Sequence, residues 1–143
     1  MGLPFIVLQN GALLKEKDYT WDAITNTFSS DESHLVICSG YVATFITGNF
    51  CQFTTPSSCN FKTGFNCFFN TLSKCKFETE EMCTFDTGSG CTFIVGEQCV
   101  LVRRDIFEVH ILIPGITMIS NNDRIPGWAN EDTFESQMFD KNL

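Results

Sequence analysis

Seven cysteines, at positions 51, 59, 67, 75, 83, 91 and 99, stand at a constant spacing of eight residues. Phenylalanine follows two places after each of the first six, at Phe53, Phe61, Phe69, Phe77, Phe85 and Phe93, and Leu101 takes that place after Cys99. Four places after each Cys come Thr55, Thr63, Thr71, Thr79 and Thr87, then Val95, and the next place is often Gly, as at Gly64, Gly88 and Gly96. The unit is Cys-x-Phe-x-Thr-Gly-x-x. It extends backwards through Ala43, Phe45, Thr47 and Gly48 and through Leu35, Ile37, Ser39 and Gly40, so nine octads cover residues 35–106. A period this strict marks a repeat array, and the array decides the fold.

Positions 1, 3 and 5 of the unit point to one side of a strand, because side chains alternate along a strand with period two. Positions 2 and 4 are mixed (Gln52 and Thr54, Lys76 and Glu78, Thr84 and Asp86) and belong to the solvent side. Gly at position 6 is expected to supply the corner, where a positive φ is cheap. Each octad is then a five-residue strand and a three-residue turn. A lone strand has nothing to bury its face against. Two octads closing a sixteen-residue coil give two facing parallel sheets, with the next coil about 4.8 Å above. The expected fold is an all-β solenoid of two octads per coil. Its core is Cys51, Phe53, Cys59, Phe61, Cys67, Phe69, Cys75, Phe77, Cys83, Phe85, Cys91, Phe93 and Cys99, with Phe facing Phe at the centre and Cys facing Thr at the ends. Stacked rings should form ladders along the axis.

A stacked array exposes a raw sheet edge at each end and needs caps. Residues 1–34 read as the first: a hairpin of Phe5–Leu8 and Ala12–Leu14 around Asn10-Gly11, then a short helix N-capped by Thr20 and carrying Trp21, Ile24 and Phe28. At the other end Arg103 falls on an inward position. An unpaired charge is too costly there, so the regular array is expected to stop near Val102. In residues 107–120, Phe107, Val109, Ile111 and Ile113 alternate as one more strand, with Ile116–Ile119 able to pair with it. Residues 121–143 are acidic, with isolated large apolar residues. Asp132 with Glu135 resembles a helix capping box, and Phe134 and Met138 share one helical face. This stretch reads as a tail that folds back or stays disordered, or else as a docking segment that orders on a partner.

The stretch from Cys83 to Phe93, CTFDTGSGCTF, resembles the CTF-x-TG octad-repeat proteins of phages, large DNA viruses and bacteria. The following VRRDIFEV (Val102–Val109) looks like the segment that closes the array in that group, and the opening segment is similar too. The resemblance covers most of the chain up to about Val109 and brings no known activity with it. Pro56, Leu72 and Glu80 depart from the pattern where Gly is usual, and those corners are expected to need another turn geometry. In architecture alone the design is similar to pentapeptide-repeat and ice-nucleation solenoids.

The chemistry expected of this chain is slight. In-register cysteines lie in two rows, without the convergence a metal site needs, and their parallel Cβ atoms are too far apart for disulfides. Reduced, buried thiols acting as small apolar side chains are the expectation. Cys38 lies outside the register and is the candidate reactive thiol, and His34 and His110 have no local catalytic partner. No catalytic residue, metal or cofactor is expected. The net charge of −8 argues against a backbone-tracking nucleic-acid binder. The array carries only −1 of it, against −3 in residues 1–34 and −4 in 107–143, so acidic rows that would mimic DNA are missing. Outward positions vary too much for an ice-binding Thr face. No run is long enough to span a bilayer, and no secretory signal is visible, so synthesis in the cytoplasm is expected, with virion association as a further possibility. Two roles survive. One is a structural or assembly protein, such as a virion component, spike or fibre accessory, whose partners are other protein subunits. The other is a soluble protein-binding module directed at a host protein. Neither needs a small-molecule substrate. The candidate docking residues are Phe50, Phe65, Phe68, Trp128, Phe134, Met138 and Phe139.

Overall fold

A computed structural model of the chain describes residues 2–103, 106–121 and 127–129. The strands, in order, are β1 (Ile6–Gln9), β2 (Ala12–Leu13), β3 (Thr20–Asp22), β4 (Thr27–Ser29), β5 (Leu35–Cys38), β6 (Thr44–Ile46), β7 (Gln52–Thr54), β8 (Asn60–Lys62), β9 (Phe68–Asn70), β10 (Lys76–Glu78), β11 (Thr84–Thr87), β12 (Thr92–Ile94), β13 (Val100–Arg103), β14 (Glu108–Ile111), β15 (Met118–Ser120) and β16 (Trp128–Ala129). They build two eight-stranded walls. Wall A runs β14-β13-β11-β9-β7-β5-β1-β2 and wall B runs β16-β15-β12-β10-β8-β6-β4-β3. The chain is an all-β solenoid of about five sixteen-residue coils. Eight strands at sheet spacing make each wall about 34 Å long.

Register makes the interior. Phe53 pairs with Phe69 and Phe69 with Phe85 in wall A, and Phe45 with Phe61, Phe77 and Phe93 in wall B. Ring centroids are 5.0 Å apart for Phe53–Phe69 and 4.9 Å for Phe61–Phe77, with planes 3° and 5° from parallel. Across the column the contacts turn edge to face, as in Phe69–Phe77 at 5.0 Å and 72°. Both geometries suit the ring quadrupole, each adding about 0.5–1.5 kcal/mol beyond area burial.

The corners obey a rule different from the one the glycines suggested. The left-handed residue is at position 8, just before each Cys: Phe50, Ser58, Asn66, Lys74, Met82 and Gln98 have φ between 57° and 66°, and only Gly90 is a glycine. Position 6 has ordinary φ, so Pro56, Leu72 and Glu80 are accommodated without a new turn, and Ser58, Lys74 and Met82 keep the common corner. Glycine at position 6 answers close packing instead. Successive corners are joined by backbone hydrogen bonds there, Gly64 N to Gly48 O at 3.1 Å and Gly96 N to Glu80 O at 3.2 Å. A Cβ on Gly96 would lie 2.7 Å from the Glu80 carbonyl carbon and 2.7 Å from the Glu81 nitrogen. Gly96→Ala is therefore expected to destabilise the chain by about 1–3 kcal/mol, read from urea unfolding, because backbone rather than a movable side chain must yield.

The N-terminal cap is sheet throughout, apart from a 3-10 turn at Glu16–Asp18. β1 turns through Asn10 and Gly11, both at positive φ, into β2, and lies antiparallel on β5 with Val7 opposite Ile37. The expected helix from Thr20 is a second hairpin, β3 on β4, with Trp21 opposite Phe28. Asp22 Oδ1 accepts the N–H groups of Ile24 (2.9 Å) and Thr25 (3.3 Å), an Asx turn that reverses the chain. Ile24 is left 95% exposed, whereas Phe28 is buried beneath Phe45 as the first rung of wall B. Phe5 closes this end against Trp21, Phe28 and Phe45.

At the other end the parallel array finishes with β13, near Val102, but not because Arg103 turns away from the interior. Arg103 continues β13, opposite Thr87, and is fully buried. β14 pairs back on β13 and sets Glu108 opposite Arg103. The apolar alternation of the closing strand faces outward: Phe107, Val109, Ile111 and Ile113 are exposed, while Glu108 and His110 are partly covered. β15 pairs with β12 rather than with β14. Ser120 takes the place a further Cys would hold, its Oγ 2.9 Å from the Cys91 N–H.

Candidate functional site

The thiols form two rows of buried, free cysteines. In one row the N–H of Cys51 points at Cys67 Sγ (3.5 Å), that of Cys67 at Cys83 Sγ (3.5 Å) and that of Cys83 at Cys99 Sγ (3.4 Å). Each sulfur also donates to corner carbonyls, as Cys67 Sγ does to Gly48 O (3.6 Å) and Phe65 O (3.6 Å). Cysteine suits position 1 because one small side chain there accepts from one coil, donates to another and packs beside Phe. Among the described residues no three His, Cys, Asp or Glu converge as a metal set. Burial pushes the Cys59 thiol above its ordinary value, and a hydrogen bond with Cys75, then burial, does the same for Cys91.

These thiols carry a prediction. At neutral pH a thiol-disulfide reagent should label Cys38, which is exposed on β5, and reach the other seven only on unfolding. Because the folded chain holds the Cys59 proton more tightly than the unfolded chain, its share of stability is complete below about pH 9 and lost as pH rises through the higher folded value. Thermal midpoints should fall on the alkaline side, together with the onset of full labelling.

Surface aromatics gather on the corner that leads from wall B to wall A. Phe50, 42% exposed, stacks on His34 at 4.9 Å with planes 7° apart and meets Phe65 edge-on at 5.3 Å. Phe65 is half-buried rather than open. The corner is pinned from within: Ser33 Oγ accepts from Asn49 N (3.3 Å) and Asn49 Oδ1 from Phe65 N (3.0 Å). Phe68, 44% exposed, stands apart on the outer face of wall A, between Gln52 and Thr84. No family profile, curated protein or solved structure matches the chain.

Trp128 is part of the cap. Its ring lies 6.1 Å from Phe93 and 4.9 Å from His110, so it packs on the end of the column and stays partly exposed. Phe134, Met138 and Phe139 lie outside the described residues. The terminal cluster around Trp128 was missed by sequence reasoning. Burial pushes the Glu108 carboxyl up, but hydrogen bonds from His110 and Gly127 N and the charges of His110 and Arg103 hold it below the ordinary carboxylate value. The signal was available: Arg103 on an inward position, followed by Glu108 and His110 with strand alternation.

The outer face of wall B was also missed. Rows at positions 2 and 4 flank a channel of about 320 Å³. Ile46 and Ile94 mark its two ends, and Lys62, Lys76 and Glu78 lie between them. Lys62 pairs with Glu78 at 3.6 Å, both well exposed, and an exposed pair of this kind contributes little to stability. Reading positions 2 and 4 at sixteen-residue intervals would have found the rows. Among the described residues no helix is long and apolar enough to cross a membrane.

Proposed function

We propose that the chain is a non-enzymatic structural or assembly protein, a stiff repeat column that acts as a component of a virion or other particle and docks on neighbouring protein subunits. The observation that carries this reading is the fixed presentation of Phe50 and Phe68, each about two-fifths exposed, on a scaffold whose own aromatic needs are met inside. Large apolar rings held in place by strand ladders lose little conformational freedom on binding, which is what interface anchors require. The corner hydrogen bonds of Ser33 and Asn49 hold Phe50 and Phe65 so that binding would not have to order them. The particle setting is supported by the resemblance of the octad to phage and large-virus repeat proteins. The mechanism is display and docking, without bond chemistry.

A second reading, a soluble module that binds one host protein through a solenoid face, is favoured by the channel on wall B, which is concave and mixed in charge. Sedimentation of the full chain separates the two. Self-association, or co-sedimentation with particles from the producing cells, that is lost in Phe50→Asp with Phe68→Asp supports the assembly role. A free monomer that retains one bound host protein supports the module. A monomer with neither property overturns both.

A further inference from the structure

We propose that the channel on the outer face of wall B is a binding site for an acidic, aromatic peptide segment, and that its occupant is the C-terminal stretch of the same chain, residues 130–143. The inference does not rest on the particle role. Two of the three lysines in the repeat array, Lys62 and Lys76, face this channel, in a chain of net charge −8. Glu78 balances Lys62, and among the described residues Lys76 has no carboxylate partner. At either end Ile46 and Ile94 are 37% and 40% exposed. A matching ligand brings carboxylates between large apolar side chains. Residues 130–143 have that composition: Glu131, Asp132, Glu135 and Asp140 against one Lys141, interleaved with Phe134, Met138 and Phe139.

Position supports the match. The described chain ends on β16, the edge strand of wall B, and Ala129 lies in register with Ile119, which lies in register with Thr92 in the channel wall. That outward row, exposed at Lys76, is closed at Ala129, which is 4% exposed. Thr92 is two strand spacings from Ala129, about 10 Å, and the channel from Ile94 to Ile46 runs about 14 Å further along the axis. Fourteen residues span up to about 46 Å when extended, enough for the whole distance of about 24 Å, whereas as a helix of about 21 Å they stop short of Ile46. A segment tethered this closely has an effective concentration in the millimolar range, which favours the chain's own tail over a second copy at micromolar protein.

The test uses the full chain, isotopically labelled and dilute. Proton contacts from the methyl groups of Ile46 and Ile94 to Phe134, Met138 or Phe139 are expected. In Lys62→Glu with Lys76→Glu these contacts should vanish, and chymotryptic cleavage after Phe134 should speed up several-fold, while the seven buried thiols stay protected as a check on the fold. Reversing Glu131 and Glu135 to Lys in that variant should restore the contacts. Random-coil shifts for residues 131–140 in the unaltered chain overturn the proposal. Contacts seen only between differently labelled chains overturn the choice of occupant, and contacts indifferent to the lysine reversals overturn the charge match.

Discussion

Phe77→Ala is expected to lower the unfolding free energy by about 3–5 kcal/mol, as for the other Phe residues in mid-column. Phe77 is 2% exposed and sits between Phe61 at 4.9 Å and Phe93 at 5.1 Å, both nearly parallel to it. The edges of Phe69 and Phe85 meet it from the other wall at 5.0 Å and 4.8 Å. Four aromatic neighbours lose a partner at once. The void cannot close easily, because strand hydrogen bonds above and below fix the coil spacing. Thr84→Asp is the control: Thr84 is half-exposed on an outward position, so its replacement should cost under about 1 kcal/mol. Urea unfolding midpoints for the two variants decide the matter, and equal costs would sink the inside–outside assignment of the repeat.

Arg103→Ala is expected to be nearly as severe, about 3–5 kcal/mol, for an electrostatic reason. Arg103 is fully buried where the repeat calls for Thr, and its charge helps hold the Glu108 carboxyl low. Removing it opens a cavity and strips Glu108 of a positive neighbour. The double change Arg103→Met with Glu108→Gln should cost less than Arg103→Ala alone, since volume is kept and no charge is left without its counterpart. The pH profile gives an independent reading. A depressed folded carboxyl contributes stability that is present above its unfolded value, 4.5, and lost as pH falls through the lower folded value. Arg103→Ala should soften that acid-side loss only slightly, because the hydrogen bonds from His110 and Gly127 N still hold the carboxyl low, as followed by thermal midpoints between about pH 5 and 3.

The walls and their facing were legible in the sequence because two periods coincide, alternation within the strand and sixteen residues between stacked strands. Both are local consequences of backbone geometry and need no knowledge of distant contacts. What was not legible depended on such contacts. Trp21, Ile24 and Phe28 have a spacing that fits a helix. The hairpin wins because Asp22 caps the reversal and Phe28 gains a seat beneath Phe45 that no helix would give it. The corner glycines suggested a left-handed position two residues too early, since close approach of neighbouring coils selects glycine as surely as φ does. Arg103 looked too costly to bury because the strand that sets Glu108 opposite it comes later in the chain. The candidate surfaces were only half visible: Phe50 and Phe68 stood out, but His34 beneath Phe50 and the lysine channel emerge only when residues sixteen or more apart are brought side by side.

The sameness of the rungs bears on how the column is assembled in time. Phe53 meets Phe69 much as Phe69 meets Phe85, so a growing chain that skips a coil finds an interior nearly as good as the correct one. Order must then be checked outside the core. The corner side chains differ from coil to coil: Asn49 answers Phe65 on one side, while Ser57 answers Ser73 at 3.1 Å on the other. Whatever register information the column carries therefore has to reside in its corners, where side chains vary, rather than in the phenylalanines, which supply cohesion alike in every coil.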